Sequence, residues 1–290
     1  MVVNLLQGVL SGILLGGVYG LISMGLAMIF GVLRIVNFAH GDFVTLAMYL
    51  AFFLIVAGHL NPYLTLLVTV PGLFVFGFAL ERTLIRPSVG QPEVNQLVLT
   101  AAISLLLQNV VLLAFSPTAR SVPNQFASTV IPLGPVFANL AQLIGFVLAV
   151  LTTVLLSVGL RRLEAGRALR ATVEDPHMAQ MLGINTQRVQ MVAFALGAAL
   201  TGVAGTVLIT YYPVTPTVGL GFLVVAFVSV VMGGMTSLTG TFLSGLVVGV
   251  VQQVTASLGA SQIQNLTVFI VFILLLLVRP QGLFARRARA

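Results

Sequence analysis

The chain has 290 residues, of which 59% are hydrophobic and 7% charged, and its formal net charge is +7. In soluble domains roughly a quarter of the residues are charged. The mean hydropathy of +1.13 implies more apolar surface than the core of a soluble protein can bury. We therefore predict an all-α, polytopic membrane protein with a single transmembrane domain over residues 1–290. A transmembrane β-barrel is disfavoured because the apolar runs are continuous rather than alternating.

All thirteen basic side chains are arginines, which lie between apolar runs or near the C-terminus. This distribution follows the positive-inside rule, so the sequence pI of about 11.1 indicates membrane orientation rather than nucleic-acid binding. The absence of Cys excludes disulfides and Cys-ligated metal sites. We expect no cleavable signal peptide, because the first apolar run is long enough to span the membrane.

The first half of the chain predicts five crossings. The run at about 5–30 predicts one crossing that begins outside the cell, and two shorter crossings fit between Asp42 and Glu81. Two further runs follow at 96–115 and 138–160. Asp42 is the only acidic residue that we expect at membrane depth.

Polar residues interrupt the apolar sequence at 31–43, where Arg34, Asn37, His40 and Asp42 occur close together. One interpretation is a broken helix inside the membrane, with Asn37, His40 and Gly41 on one side of it, since polar groups at that depth are usually functional. The other is a short cytoplasmic turn with Arg34 and Asp42 paired at the headgroups. A metal or catalytic role for His40 is disfavoured, because no second His or carboxylate cluster accompanies it.

Segment 116–137 connects two predicted crossings on the outside. It contains four prolines and a single charged residue, Arg120. We interpret it as an irregular loop. The alternatives are a cap over the transport path or a contact for an external partner.

The longest polar stretch is 161–188, which parity and its arginines place in the cytoplasm. Asp175 and Pro176 form a helix start, with Asp as N-cap and Pro in the first helical position. Gly183 predicts the end of that helix after about two turns. Its apolar side chains, Met178, Met181, Leu182 and Ile184, favour docking into a groove of another protein over adsorption to lipid.

Residues 189–278 contain no charge and suit four crossings. The predicted breaks lie at Tyr212-Pro213, Gly233-Gly234 and Leu258-Gly259. About nine crossings result, with eight to ten acceptable. Arg279, Arg286, Arg287 and Arg289 then place the C-terminus in the cytoplasm.

The uncharged break after Gly233 is rich in small and hydroxyl side chains. Gly240-Thr-Phe242 opens an apolar helix, as Gly41-Asp-Phe43 does, and interrupted segments at matching positions often mark a translocation path. Close helix packing through glycines is the alternative explanation. The predicted path residues are Asn37, His40, Gly41, Gly233, Gly234, Thr236, Ser237 and Gly240.

Four motifs carry a resemblance to a known family: Asn-Phe-Ala-His-Gly at 37–41, the loop at 175–185, Gly-Gly-Met-Thr-Ser-Leu-Thr-Gly at 233–240, and Arg-Pro-Gln-Gly-Leu-Phe at 279–284. In this order they resemble the permease subunits of bacterial branched-chain amino acid ABC importers, specifically the shorter of the two permease types. The resemblance runs nearly end to end.

This resemblance implies that the 175–185 loop is similar to the coupling loop that docks on a cytoplasmic ATPase. The chain differs from the usual Glu-Ala-Ala opening, having Ala-Thr-Val-Glu at 171–174. The contact residues implied are Glu174, Asp175, Pro176, His177, Met178, Met181, Leu182, Gly183, Ile184 and Asn185.

The implied assembly contains a second, homologous or identical permease, two ATP-binding subunits and an external substrate-binding protein in the bacterial inner membrane. ATP hydrolysis is expected on a partner, since this chain has no Lys for a Walker A motif, and no cofactor is expected here. Related permeases move urea, short amides or other small amino acids. A secondary transporter or channel without an ATPase is the alternative from another class.

Overall fold

A computed structural model describes residues 1–279 and 282–284. The fold is all-α as predicted, with one short hairpin formed by β1 (Val130–Leu133) and β2 (Val136–Asn139). The helices are α1 (Val2–Leu33), α2 (His40–Val56), α3 (Leu66–Leu80), α4 (Glu93–Phe115), α5 (Gln125–Ser128), α6 (Leu140–Arg162), α7 (Glu164–Glu174), α8 (Pro176–Met181), α9 (Thr186–Leu208), α10 (Val218–Gly233), α11 (Leu238–Ser257) and α12 (Gln264–Val278).

Nine of these helices form the predicted membrane bundle. Seven segments are long and apolar enough to cross a membrane, and α2 and α10 are two shorter apolar helices. The α3 segment continues through a π-helical turn, Glu81–Ile85, and a 3-10 turn, Arg86–Ser88. The described residues thus contain seven helices long enough to cross and two shorter apolar helices, which agrees with the prediction of a polytopic bundle of about nine helices. The C-terminal arginines Arg286, Arg287 and Arg289 lie outside those residues.

Helix α1 forms the centre of the bundle and is almost entirely buried beyond its first two turns. Its glycine row Gly8, Gly12, Gly16 and Gly20 lies directly against α11. Any Cβ added at these four positions would overlap the α11 backbone, and Gly245 and Gly249 provide the matching surface on α11. Small residues allow such close backbone approach, from which membrane helices gain most of their packing energy. Helix packing through glycines, which the sequence analysis gives as one explanation of the Gly-rich segments, is what the structure shows between α1 and α11.

The two ends of the bundle carry different structures. At the end that we call the hairpin end, the Gln7 side chain near the start of α1 pairs with the Phe137 backbone at 2.8 and 2.9 Å. At the opposite end, which we call the α8 end, Leu169 of α7 packs with Met28 and Val32 near the end of α1. The polar island and the 116–137 segment thus lie at opposite ends, as span parity predicted.

The interpretation of 116–137 as an irregular loop is wrong. Besides α5 and the hairpin, Arg120 and Val214 exchange two backbone hydrogen bonds of 2.9 and 2.8 Å. The Asn124 side chain also donates to the Thr210 carbonyl, at 2.9 Å. Because this segment is rich in proline and nearly uncharged, its sequence does not predict that its backbone pairs with residues far away in the chain.

Helices α4, α6 and α12 form the outer surface of the bundle. They expose large apolar side chains, of which Leu113, Leu155 and Leu277 are 88%, 63% and 77% accessible. Since α1 and α9 are deeply buried, these outer helices are the ones available to lipid or to another subunit.

Candidate functional site

The polar island folds into two helices that are joined at Asp175. The Asp175 carboxylate oxygen Oδ1 accepts hydrogen bonds from the backbone N–H groups of His177 (2.8 Å) and Met178 (3.0 Å). Pro176 occupies the first helical position. Gly183 ends the structure with a φ of 82° and donates to the Gln180 carbonyl at 2.9 Å. The predicted start and stop of α8 are confirmed, with the last helical residue, Met181, two positions before Gly183.

The apolar side chains of α8 point away from the bundle. Met178, Met181 and Leu182 are 56%, 73% and 78% exposed, whereas Ala179 faces the protein. Glu174, Asp175, His177, Gly183 and Asn185 are also exposed, and Pro176 and Ile184 are half-buried. A rigid, capped helix thus presents two methionines and a leucine on one surface, which we call the α8 surface.

The α8 surface is fixed to the bundle at its two sides. The Gln180 side chain donates to the Thr186 hydroxyl at 2.7 Å. Asn185 caps α9 by accepting from the Arg188 N–H at 3.0 Å. On the other side, α7 packs on the last turns of α1. Helix α8 is thus connected to α9 by its own side chains and to α1 through α7.

The α1–α2 segment turns back into the bundle. The His40 imidazole Nε2 lies 2.9 Å from the Ile22 carbonyl, which can only accept, so Nε2 carries the proton. Ile22 is roughly three turns, about 16 Å, before the end of α1. Arg34, with a φ of 54°, ends α1 and starts the return. His40 is fully buried, which agrees with the interpretation of segment 31–43 as a helix that is broken inside the bundle.

The alternative interpretation, an Arg34–Asp42 pair at the headgroups, is wrong. Arg34 is exposed, whereas Asp42 is 2% exposed and accepts a hydrogen bond from the Ser104 hydroxyl of α4. The predicted common side for Asn37, His40 and Gly41 is also wrong, because His40 contacts α1 while Gly41 contacts α10. A break that turns inward places successive residues against different helices.

Helices α2 and α10 begin side by side inside the bundle and run antiparallel. The backbone N–H of Gly219, in the first turn of α10, donates a hydrogen bond to the Thr45 hydroxyl oxygen at 3.0 Å. Farther along, Phe38 contacts Phe227, with ring centroids 5.8 Å apart. A Cβ on either Gly41 or Gly219 would overlap the carbonyl of the other. We call this backbone contact the Gly41–Gly219 junction.

The junction is reached from both ends of the bundle. The chain enters α2 from the α8 end, after Arg34, and enters α10 from the hairpin end, after Val214. Two interrupted helices of opposite direction that meet inside a bundle are the arrangement of inverted-repeat transporters. The structural partner of Gly41 is therefore Gly219, whereas the sequence comparison had matched Gly41 with Gly240.

The second predicted path segment lies between α10 and α11. Gly233 packs against Gly240, and the Ser237 hydroxyl caps α11 by accepting from the Gly240 N–H at 3.2 Å. Gly234 has a φ of 90°, and Thr236 is exposed. The glycines here close a tight connection between two helices, as the packing alternative proposed.

The C-terminal motif has a structural role that its sequence does not predict. The Leu283 N–H donates to the Met232 carbonyl at 2.7 Å, and Gly282, with a φ of 91°, lies against Gly234. Residues 282–284 thus hold the α10–α11 connection in place. The one glycine of the motif, Gly282, is the only sequence feature that suggests such a close contact.

A second acid, Glu81, is buried although its sequence context does not predict this. It is fully buried in the π-helical turn after α3, and neither of its carboxylate oxygens accepts a hydrogen bond. The expectation that Asp42 is the only acid at membrane depth is therefore wrong. The neighbouring Arg82 and Arg86 predict the end of a membrane span, so the sequence predicts Glu81 at the membrane surface. No sequence pattern here predicts the π-helical turn, a feature that often occurs at functional sites. Among the described residues, no three His, Asp or Glu side chains form a group suited to a metal ion.

Comparison with known proteins agrees with this architecture. A family model described as "Branched-chain amino acid transport system / permease component" matches residues 8–279. The permease protein BraD of Pseudomonas aeruginosa is 32% identical over 97% of this chain and 96% of its own length. The permease protein LivH of Escherichia coli K12 is 31% identical over 97% and 96%, respectively.

A shorter match links the chain to a second permease type. The LivM permease of Escherichia coli is 30% identical over 43% of this chain and 29% of its own length. No solved structure gives a significant match. The full-length matches to BraD and LivH and the family model over nearly all residues establish that this chain belongs to the family of branched-chain amino acid transport permease components.

Proposed function

We propose that this chain is the permease subunit of an ATP-driven importer of branched-chain amino acids in the bacterial inner membrane. Its partners would be a second permease, two cytoplasmic ATP-binding subunits and an external substrate-binding protein. The names of the full-length relatives support the cargo, and the LivM match supports a homologous second permease. The α8 end would face the cytoplasm, together with the C-terminus.

The α8 surface is the observation that carries this proposal. An exposed Met-Met-Leu patch on a rigid helix suits insertion into a groove of a soluble partner, because flexible thioethers adapt to its shape. Asp175 and Gly183 fix the ends of the helix, so a push on the patch moves the helix as one body. The patch is small for lipid anchoring, which favours a protein partner.

Contacts inside the bundle provide a route from α8 to the junction. Helix α9 begins at Thr186, which α8 contacts, and its Gly197 packs against Gly25 of α1. His40 lies at the same level and contacts the same part of α1. Movement of α9 against α1 would thus act on His40 and, through α2, on the Gly41–Gly219 junction.

One observation favours a second candidate function. Proton- or sodium-coupled carriers use buried carboxylates, and Asp42 is such a group beside the Gly41–Gly219 junction. A secondary transporter would not require an ATPase, and uptake would then follow an ion gradient. Abolition of uptake by a protonophore in the absence of ATP would support this candidate.

The test is uptake by the purified complex in proteoliposomes. Leucine uptake should require ATP on the side of the α8 surface and should be resistant to protonophores. Asp175→Ala and Gly183→Ala should each reduce ATP-driven uptake while leaving membrane insertion intact, because the lost cap or the strained φ weakens α8 by about 1 kcal/mol.

The control for these variants is Glu164→Gln, at the exposed start of α7, which should transport normally. Full transport after disruption of α8 would overturn the coupling role. Stimulation of the ATPase by a panel of branched-chain amino acids, small amino acids, amides and urea would identify the cargo. A copurified ATPase in stoichiometric amount supports the importer, and its consistent absence supports the carrier.

A further inference from the structure

Asp42 is a buried carboxylate with one of its two oxygens unused. It lies in the first turn of α2, next to the Gly41–Gly219 junction, and is 2% exposed. Its Oδ2 accepts a hydrogen bond from Ser104, whose hydroxyl oxygen accepts from the Gln108 side chain at 2.9 Å. Its Oδ1 has no hydrogen-bond partner among the described residues.

No basic side chain of the described residues compensates this carboxylate. The salt bridge found in that part of the chain joins Arg167 and Glu164 on the exposed surface of α7. Arg120 lies over the Phe52 and Phe115 rings, at 5.7 and 6.0 Å, and donates to the Phe115 carbonyl. Burial of a carboxylate without a compensating cation is costly, so an external cation is the chemically suitable partner for Oδ1.

We propose that Asp42 binds the ammonium group of the amino-acid cargo. This inference rests on the proposed function, since a branched-chain amino acid carries one ammonium group into a path that is otherwise apolar or uncharged. An ammonium group has three hydrogen-bond donors, of which one would satisfy Oδ1. The position of Asp42 agrees with transporters in which the cargo site lies where interrupted helices meet.

Helix α4 covers this site. Ser104 contacts Asp42, the Thr100 hydroxyl lies 3.1 Å from the Val36 carbonyl, and Phe115 stacks on Tyr49 with centroids 4.8 Å apart. The opposite face of α4 is exposed, as Leu105 and Leu113 show with 62% and 88% accessibility. Separation of α4 from α2 would open the site and would break no contact of the exposed outer face of α4 within this chain. Ser104 is a positioning residue that holds the carboxylate for the cargo.

Glu81 provides a matched control. It is also a buried carboxylate without hydrogen-bond partners, but it lies in the turn that carries Arg82 and Arg86, away from the junction. Neutralising Glu81 removes the same kind of charge from the interior. A difference between the two positions therefore reports on cargo binding and not on loss of any buried acid.

The experiment measures uptake of radiolabelled leucine by the complete complex in proteoliposomes. Uptake by the wild-type complex is measured first. Its absence would contradict the proposed function itself, independently of any role of Asp42. Given wild-type uptake, Asp42→Asn should raise the KM for leucine at least tenfold, whereas Glu81→Gln should leave it within twofold. A wild-type KM in an assembled Asp42→Asn complex would overturn the proposal.

A second measurement separates recognition from assembly. Leucine should protect the detergent-purified complex against thermal unfolding more strongly than 4-methylpentanoate, which lacks the ammonium group, and Asp42→Asn should abolish this difference. Equal discrimination by wild type and variant would overturn the proposal. If Asp42→Asn does not assemble, Ser104→Ala decides: a several-fold higher leucine KM supports the site, and an unchanged KM contradicts it.

Discussion

The α8 surface and the Gly41–Gly219 junction are opposite kinds of structure. The α8 surface is exposed and is shaped by neighbours in sequence, since Asp175 and Gly183 enclose it within a few residues. The junction is buried and joins positions far apart, as Thr45 and Gly219 are separated by 174 residues. An exposed surface leaves its side chains free to contact another molecule, whereas close contact between two buried backbones requires that neither residue carries a side chain.

The largest effect should follow a side chain placed in the junction. Gly219→Leu would overlap the Gly41 carbonyl, and backbone cannot move aside as a flexible side chain can. We expect a destabilisation of about 3 kcal/mol, the upper end of overpacking costs, and loss of uptake. Thermal unfolding and uptake by the purified complex measure both.

Gly221 offers the control for this prediction, because it lies two residues farther along α10 and a Cβ there would meet no atom within 4 Å. Gly221→Leu should transport as wild type. If Gly219→Leu were equally harmless, the contact between the interrupted helices would have no part in transport.

The second effect concerns the exposed α8 surface. Replacing Met181 and Leu182 together by Glu should cost about 2 kcal/mol or more in ATPase binding, because charge would enter the docking groove. Uptake should then fall at least about tenfold. Thermal stability of the isolated permease should change by less than about 0.5 kcal/mol, since both side chains are exposed.

Leu258→Glu is the control for charge on an exposed leucine. Leu258 is 50% exposed and lies in the connection between α11 and α12, away from α7 and α8. A loss of uptake as large as that of the α8 variant would show that any added charge is harmful, and would remove the distinction between the two regions.

The smallest effect is expected at Gly282. It has a positive φ, as Gly183 beside α8 has, and a backbone contact, as the Gly41–Gly219 junction has. Gly282→Ala should cost about 1–2 kcal/mol for a left-handed φ and a further amount for contact with the Gly234 backbone. Gly134→Ala, at a φ of 68° in the open hairpin turn, should cost the backbone part alone. Thermal unfolding of both variants measures the difference, and equal destabilisation would mean that the C-terminal contact contributes nothing.

Sequence reasoning succeeded where the determinants are local or periodic. The caps of α8 lie within nine residues of one another, and the glycines of α1 and α11 recur at helical spacing. Span number followed from hydropathy and charge alone. These features depend on rules that act within one helix or one turn.

The features that the sequence did not predict depend on tertiary contacts between distant parts of the chain, which no local pattern encodes. Gly41 matched Gly240 in sequence but contacts Gly219, because α10 enters the bundle from the hairpin end. Glu81 stands beside arginines, yet its π-turn directs it inward. The sequence of segment 116–137 predicts a loop, although Arg120 and Val214 pair through two backbone hydrogen bonds.

The central claim, that the α8 surface receives the ATPase, can be tested by proximity. The chain contains no Cys, so Leu182→Cys introduces its single thiol, to which a maleimide–benzophenone reagent can be attached before assembly. Illumination of the assembled complex should crosslink this position to the ATP-binding subunit, while Leu258→Cys should not. Absence of that crosslink in an intact complex, or equal crosslinking from Leu258→Cys, would contradict the account.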